Sequence, residues 1–212
     1  MVRTSPIGRL GRLFVWTAAV AVLASCASVA PESAESVLRR ADSAMGGKDL
    51  KSISFAGSGT GATFGQAYEP SGAWPKITYS SFTRLADYDQ GAFREDAARS
   101  RAEPTGGGAV PLMGTGEQRT TGLMRGGYAW NLVGPAPVAS PRDLDARVHD
   151  LWTTPHGVIK AALANQPTLT PRTQDGRTLW AVSFVMPGRL RAMALINADG
   201  LVEQIESVLP NP

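Results

Sequence analysis

The sequence predicts an α+β domain: a curved antiparallel sheet with an N-terminal helix and a mid-chain helical pair packed on one side. Three observations lead there. Among 212 residues, 23 are glycine and 15 proline, which cuts the chain into short segments and suits a strand-rich fold better than a helical bundle. Near the C-terminus, two pairs of β-branched and aromatic runs are each split by an Asp-Gly turn, the mark of antiparallel hairpins. Two other stretches space their apolar residues as a helix does. A chain of this length holds one domain with a real core, and hardly two.

The first segment is built for export. MVRTSPIGRLGR is basic, and Leu13 to Leu23 (LFVWTAAVAVL) is an uncharged apolar run. A spanning helix needs about 20 apolar residues, so this shorter run reads as the core of a signal peptide. It ends in Leu23-Ala24-Ser25-Cys26, which resembles the lipobox of bacterial lipoproteins. The resemblance implies cleavage between Ser25 and Cys26, a diacylglyceryl thioether on Cys26, and acylation of the new amino group with a fatty acid such as palmitate. Residues 1–25 are then a lipoprotein signal peptide, 26–33 the lipidated cysteine and its tether, and 34–212 a single folded domain. Cys26 is the only cysteine, so no internal disulfide forms, and the thioether would block a thiol otherwise exposed to an oxidising compartment. Two or more acyl chains anchor stably where one is marginal. Residue 27 is alanine rather than aspartate, which by resemblance to Gram-negative lipoproteins implies the outer membrane, facing the periplasm.

Removing that segment also removes the basicity of the chain. Arg3, Arg9 and Arg12 precede Cys26 and no acidic residue does, so the rest of the 21 basic residues balance the 18 acidic ones. A neutral domain without a basic stripe has no electrostatic footprint for nucleic acid. The expected partners are the membrane, through the lipid on Cys26, and an apolar small molecule or a separate catalytic domain.

In the domain, ESAESVLRRADSAM places Val37, Leu38, Ala41, Ala44 and Met45 on one helical face, and Gly46-Gly47 stops it. Strands are expected at Ile53 to Gly57, Ile77 to Leu85, Ala92 to Arg101, Gln118 to Met124 and Gly127 to Val133, with a glycine-rich loop at Glu103 to Gly116. Asp143 to Asn165 is helical, with Thr154 as a cap and Pro155 at the first position. Hairpins follow: Thr168 to Gln174 with Thr178 to Met186, then Leu190 to Asn197 with Leu201 to Val208.

The chemistry-bearing residues are sparse. His149 and His156 are the only histidines, with no HxH, HExxH or HxHxDH pattern, so neither a structural nor a catalytic zinc set can be assembled. His156, at a helix start, is expected to pack or cap. Gly57-Ser58-Gly59-Thr60-Gly61 lacks the Lys-Ser/Thr of a phosphate loop, and no helix follows Gly106-Gly107-Gly108 in the register a dinucleotide site needs. Both clusters read as turns or bulges. Glu95 and Asp96 adjoin on a strand and point to opposite faces, so they are no acid/base pair. No cofactor is expected. Phe55, Phe82, Trp130, Trp180 and Phe184 fit either a packed core or a concave face that holds an acyl chain, because core and cavity use the same residue types.

Two stretches carry a resemblance. One is Ala41-Asp42-Ser43-Ala44-Met45-Gly46-Gly47 with Leu50, Ile53, Gly57 and Gly59; the other is Leu151-Trp152-Thr153-Thr154-Pro155-His156-Gly157-Val158-Ile159-Lys160-Ala161-Ala162, together with the Val208-Leu209-Pro210-Asn211-Pro212 stretch. They resemble the domain that precedes the catalytic part of exported metallo-β-lactamase-fold hydrolases. That domain is similar in layout to the periplasmic lipoprotein-carrier fold, a half-barrel sheet closed by helices. The family's HxHxDH zinc ligands have no counterpart here, so its hydrolase activity does not carry over. Its lead-domain sheet also runs beyond the Leu-Pro-Asn-Pro stretch, which implies a C-terminally shortened version. The resemblance thus implies a non-catalytic accessory or substrate-facing module; the alternatives are an independent apolar-ligand or lipoprotein carrier and, third, a hydrolase in its own right.

Overall fold

The computed structural model describes residues 32–63, 67, 69–102 and 116–208. Ser25, Cys26, residues 103–115 of the glycine-rich loop and the Leu209-Pro210-Asn211-Pro212 stretch lie outside the described residues.

Helix α1 (Ala34–Ala44) begins at a reciprocal cap: the Ser33 hydroxyl accepts from the Ser36 N–H, and the Ser36 hydroxyl accepts from the Ser33 N–H, each at 3.0 Å. Its apolar stripe, Val37, Leu38 and Ala41, is fully buried. Six strands follow: β1 (Ser52–Ala62), β2 (Lys76–Asp87), β3 (Ala92–Arg101), β4 (Gln118–Arg125), β5 (Tyr128–Val133) and β6 (Ala136–Ala139). They form one antiparallel meander in sequence order. After a short 3-10 turn at Pro141–Asp143 come α2 (Leu144–Trp152) and α3 (Pro155–Ala164). The chain ends in β7 (Thr168–Gln174), β8 (Arg177–Met186), β9 (Leu190–Ile196) and β10 (Val202–Val208), a second antiparallel sheet.

The α+β class is therefore found, with the strands divided between a six-stranded and a four-stranded sheet. The division falls at the helical pair. The strands that flank it, β6 and β7, contain Pro137 and Pro171, which cannot donate to a further neighbour and so suit sheet edges. Register shifts at Gly57/Gly59, Tyr79/Ser81 and Val202/Gln204 are bulges, which bend and twist the strands that carry them.

Each sheet has its own helical cover. α1 and α3 pack on the second sheet, burying Val158, Ile159 and Ala162 against Val182, Phe184, Ala194 and Ile196. α2 lays Val148 and Leu151 on Ala86, Phe93 and Met124 of the first. Trp152, at the end of α2, packs against both clusters and joins them. On the other face of the second sheet, Leu179, Ala181 and Leu195 are buried as well. There Arg172 of β7 reaches Glu206 of β10 at 2.9 Å, a salt bridge that spans the two strands between them.

Candidate functional site

Residues paired across an antiparallel ladder share a face, so the register lays out the helix-bearing side of the first sheet as successive rows. The row beneath α2 is apolar: Ile53, Ala86, Phe93, Met124 and Ala129. The next is Phe55, Arg84, Glu95, Gly122 and Asn131. Beyond it lie Gly57, Phe82, Ala97 and Thr120, and then Gly59, Tyr79, Arg99 and Gln118. This side is the inner face.

Charge concentrates at the waist of the inner face. Arg84 pairs with Glu95 beside it and with Asp150 of α2 at 3.5 Å, and its guanidinium lies 5.8 Å from the Phe93 ring centroid. The α2 helix is held further by Arg147. Its Nη1 donates to the carbonyls of Leu123 and Trp130, each at 2.8 Å, and its Nη2 donates to Asp143 at 2.9 Å.

Above the waist the face is aromatic. Phe55 and Phe82 meet edge-on at 6.3 Å, and Tyr79 and Phe82 at 6.4 Å. The glycines opposite are what let these rings lie flat toward β1. A Cβ at Gly57 would sit 3.1 Å from the Phe82 ring, and one at Gly61 would sit 3.3 Å from the Tyr79 ring. The Gly57–Gly61 cluster is thus a strand interior on which neighbouring rings rest, with a bulge between Gly57 and Gly59.

Two recesses open on this face. One, about 480 Å³, is lined by Met45, Ile53, Phe55, Thr154, Pro155 and His156 among others. The second, about 560 Å³, lies toward β3–β5, with Glu95, Arg99, Thr120, Asn131 and Arg147 in its wall. Asp150 lines both.

The rim between α2 and α3 is set by local sequence. Thr154 accepts from the Gly157 N–H at 3.0 Å with Pro155 following, the cap expected from the sequence. The same hydroxyl lies 2.8 Å from the Tyr88 phenol. Burial raises the Tyr88 pKa above its usual 10.0, while hydrogen bonds from Thr154 and the Gly157 backbone pull it down. Because the folded value is the higher one, the unfolded chain ionises first, and stability falls as pH rises above about 10. Urea titrations from pH 8 to about 11.5 are expected to show a shallower alkaline loss in Tyr88→Phe than in the wild type; equal slopes would count against it. His156 Nε2 lies 3.1 Å from the Met45 carbonyl, a packing contact that ties α3 to the end of α1.

A Ser-His-Asp outline also occurs. His149 Nε2 is 2.7 Å from Ser207 Oγ, and its Nδ1 is 3.7 Å from Asp150. The latter gap exceeds a hydrogen bond, and Asp150 is engaged with Arg84, so the ring is not oriented as a base for acyl transfer requires. Among the described residues, no three His, Cys, Asp or Glu side chains gather as a metal site, and no helix is long and apolar enough to cross a membrane.

Of the five aromatic residues singled out from the sequence, the structure brings Phe55 and Phe82 together. Trp130 pairs with Leu123, which pairs with Arg94, and therefore points to the opposite face. Trp180 and Phe184 belong to β8 and the helix-covered core of the second sheet. Tyr79, Arg84, Arg99 and Arg147 were not anticipated. Alternation along β2 would have linked Phe82 to Arg84, but the bulge after Tyr79 breaks the count and hides the third ring.

Comparison of the chain with protein-family models, with curated proteins and with solved structures finds no match to any of them.

Proposed function

We propose that this chain is a lipid-anchored, non-catalytic module of the cell envelope that receives an apolar or amphiphilic ligand on the inner face of its six-stranded sheet. In this reading the lipid on Cys26 holds the protein at the outer membrane, facing the periplasm. The domain is the accessory, substrate-facing counterpart of the lead domain of exported metallo-β-lactamase-fold hydrolases.

The observation that carries the ligand is the aromatic row. Phe55 is 37% exposed at the mouth of the apolar recess, in edge contact with Phe82, which in turn meets Tyr79. Single exposed rings are ordinary on protein surfaces, but a row of three above bare glycines, opening into a recess, is a concave apolar surface. Covering it gains about 25 cal/mol for each Å² of apolar area removed from water.

Two measurements test the reading. Metabolic labelling with palmitate is expected to mark the wild-type chain and to leave Cys26→Ser unmarked; label on the variant would refute the anchor. For the ligand, the unlipidated Cys26→Ser chain is titrated with the apolar fluorophore N-phenyl-1-naphthylamine. Adding Phe55→Ala and Phe82→Ala is expected to weaken binding about tenfold or more, equal to about 1.4 kcal/mol, with the fold intact by circular dichroism. A parent chain that binds no apolar probe would sink it.

A further inference from the structure

We propose that Arg99 holds the anionic head, an oxyanion such as a phosphate monoester, of an amphiphile whose tail rests on Phe55, Phe82 and Tyr79. This rests on the ligand-binding reading above and narrows the class of ligand.

The recess toward β3–β5 has six ionisable side chains in its wall: Glu95, Arg99, Arg119, Asp143, Arg147 and Asp150. Five of them have an ion-pair partner. Arg84 holds both Glu95 and Asp150, Arg147 and Asp143 hold each other, and Arg119 pairs with Glu117. Arg99 has no ion-pair partner among the described residues. Its Nε is shielded from water and has no hydrogen-bond partner. Arg40 and Arg101 share a shielded Nε, but Arg40 pairs with Glu32 and Arg101 is engaged in an interaction of its own. A guanidinium with a shielded Nε left unpaired is costly unless an acceptor arrives, and a planar fork of N–H groups fits an oxyanion.

Position matches charge. Arg99 is on the inner face directly across from Tyr79, and two residues along β3 from Ala97, the partner of Phe82. The head site therefore adjoins the aromatic row by one strand and one row. A ligand lying along β1 and β2 would deliver its head to Arg99, with Thr120 and Asn131 in the same wall as further hydrogen-bonding groups. The carboxylates nearby each lie in an ion pair, with Arg84 serving two of them.

The test uses the full Cys26→Ser chain and three probes in isothermal titration calorimetry: decyl phosphate, decanol and inorganic phosphate. Decyl phosphate is expected to bind about tenfold more tightly than decanol, and inorganic phosphate at least tenfold more weakly than decyl phosphate. Arg99→Gln is expected to erase the preference for decyl phosphate over decanol while decanol affinity stays the same. Arg99→Lys, which keeps the charge but loses the fork, is expected to keep part of that preference. Equal binding of decyl phosphate and decanol, unchanged in Arg99→Gln, would overturn the head assignment and leave the ligand-binding reading standing. Inorganic phosphate that binds as tightly as decyl phosphate would also overturn it, by marking a free-anion site. Absence of binding by both decyl probes would bring down the ligand-binding reading itself. Circular dichroism melts of both variants ensure that any loss is read on folded protein.

Discussion

Replacing Arg147 with methionine is expected to destabilise the domain by roughly 3–5 kcal/mol, the cost of breaking a buried, hydrogen-bonded charge. Only 12% of the Arg147 side chain is exposed. Methionine keeps most of the stem and so isolates the loss of the donors. Four acceptors lose a partner at once: the Leu123 and Trp130 carbonyls, Asn131 Oδ1 and Asp143 Oδ2. Gly122 is part of the same device, because a Cβ there would lie 2.8 Å from Nη2 and push the guanidinium out of its seat. Urea unfolding measures the effect as a lower midpoint with an unchanged slope. A loss below about 1 kcal/mol would mean that water satisfies the acceptors and that Arg147 does not hold α2 in place.

Gly157→Ala is the second substitution with a large expected effect, and here the sign is the diagnostic. Inside a helix, alanine is ordinarily favoured over glycine by about 1 kcal/mol. Gly157 stands in the first turn of α3, pressed against the end of α2. A Cβ at that point would lie 2.5 Å from the Leu151 carbonyl oxygen and 2.5 Å from Thr154 Oγ1, with the Trp152 Cα at 3.2 Å. Two of those three atoms are backbone and cannot rotate away. Overpacking costs about 1–3 kcal/mol, and this geometry sits at the upper end because relief requires the two helices to part. The Thr154 cap and its contact to Tyr88 would be disturbed in the same movement. Alanine is thus expected to lower the thermal midpoint by several degrees. A midpoint that rises instead would show that the helix junction yields freely.

The parts of this fold that could be read in the sequence are those fixed within a few residues. The two C-terminal hairpins declare themselves through Asp175-Gly176 and Asp199-Gly200, and their strands lie within a residue or so of where the runs place them. α1 and the Thr154-Pro155 start of α3 are equally local. What escaped depends on partners distant in the chain. β6 is four residues long with a proline inside, a pattern that argues against a strand until β5 is beside it. The glycines of β1 read as turns because the rings that rest on them come from β2, some twenty residues on. The site was half legible. Phe55 and Phe82 share a face, whereas Trp130 points to the other side of the same sheet and Trp180 belongs to the other sheet, distinctions that residue type cannot carry. The arginines were invisible for a different reason: whether a guanidinium is paired depends on three-dimensional neighbours, and composition only counts it.

The edges of the two sheets have a consequence for self-association. Among the described residues, four strands have an open side: β1 and β6 on one sheet, β7 and β10 on the other. Pro137 and Pro171 spoil β6 and β7 as templates, and β10 carries charged side chains, Glu203 and Glu206, that are paired with Arg177 and Arg172. β1 alone has neither proline nor charge. Growth of a strand-wise polymer needs two compatible edges on every copy, one to receive and one to offer. Among the described residues β1 is thus the barest edge, and an antiparallel β1–β1 pairing between two copies would close on itself as a two-fold couple.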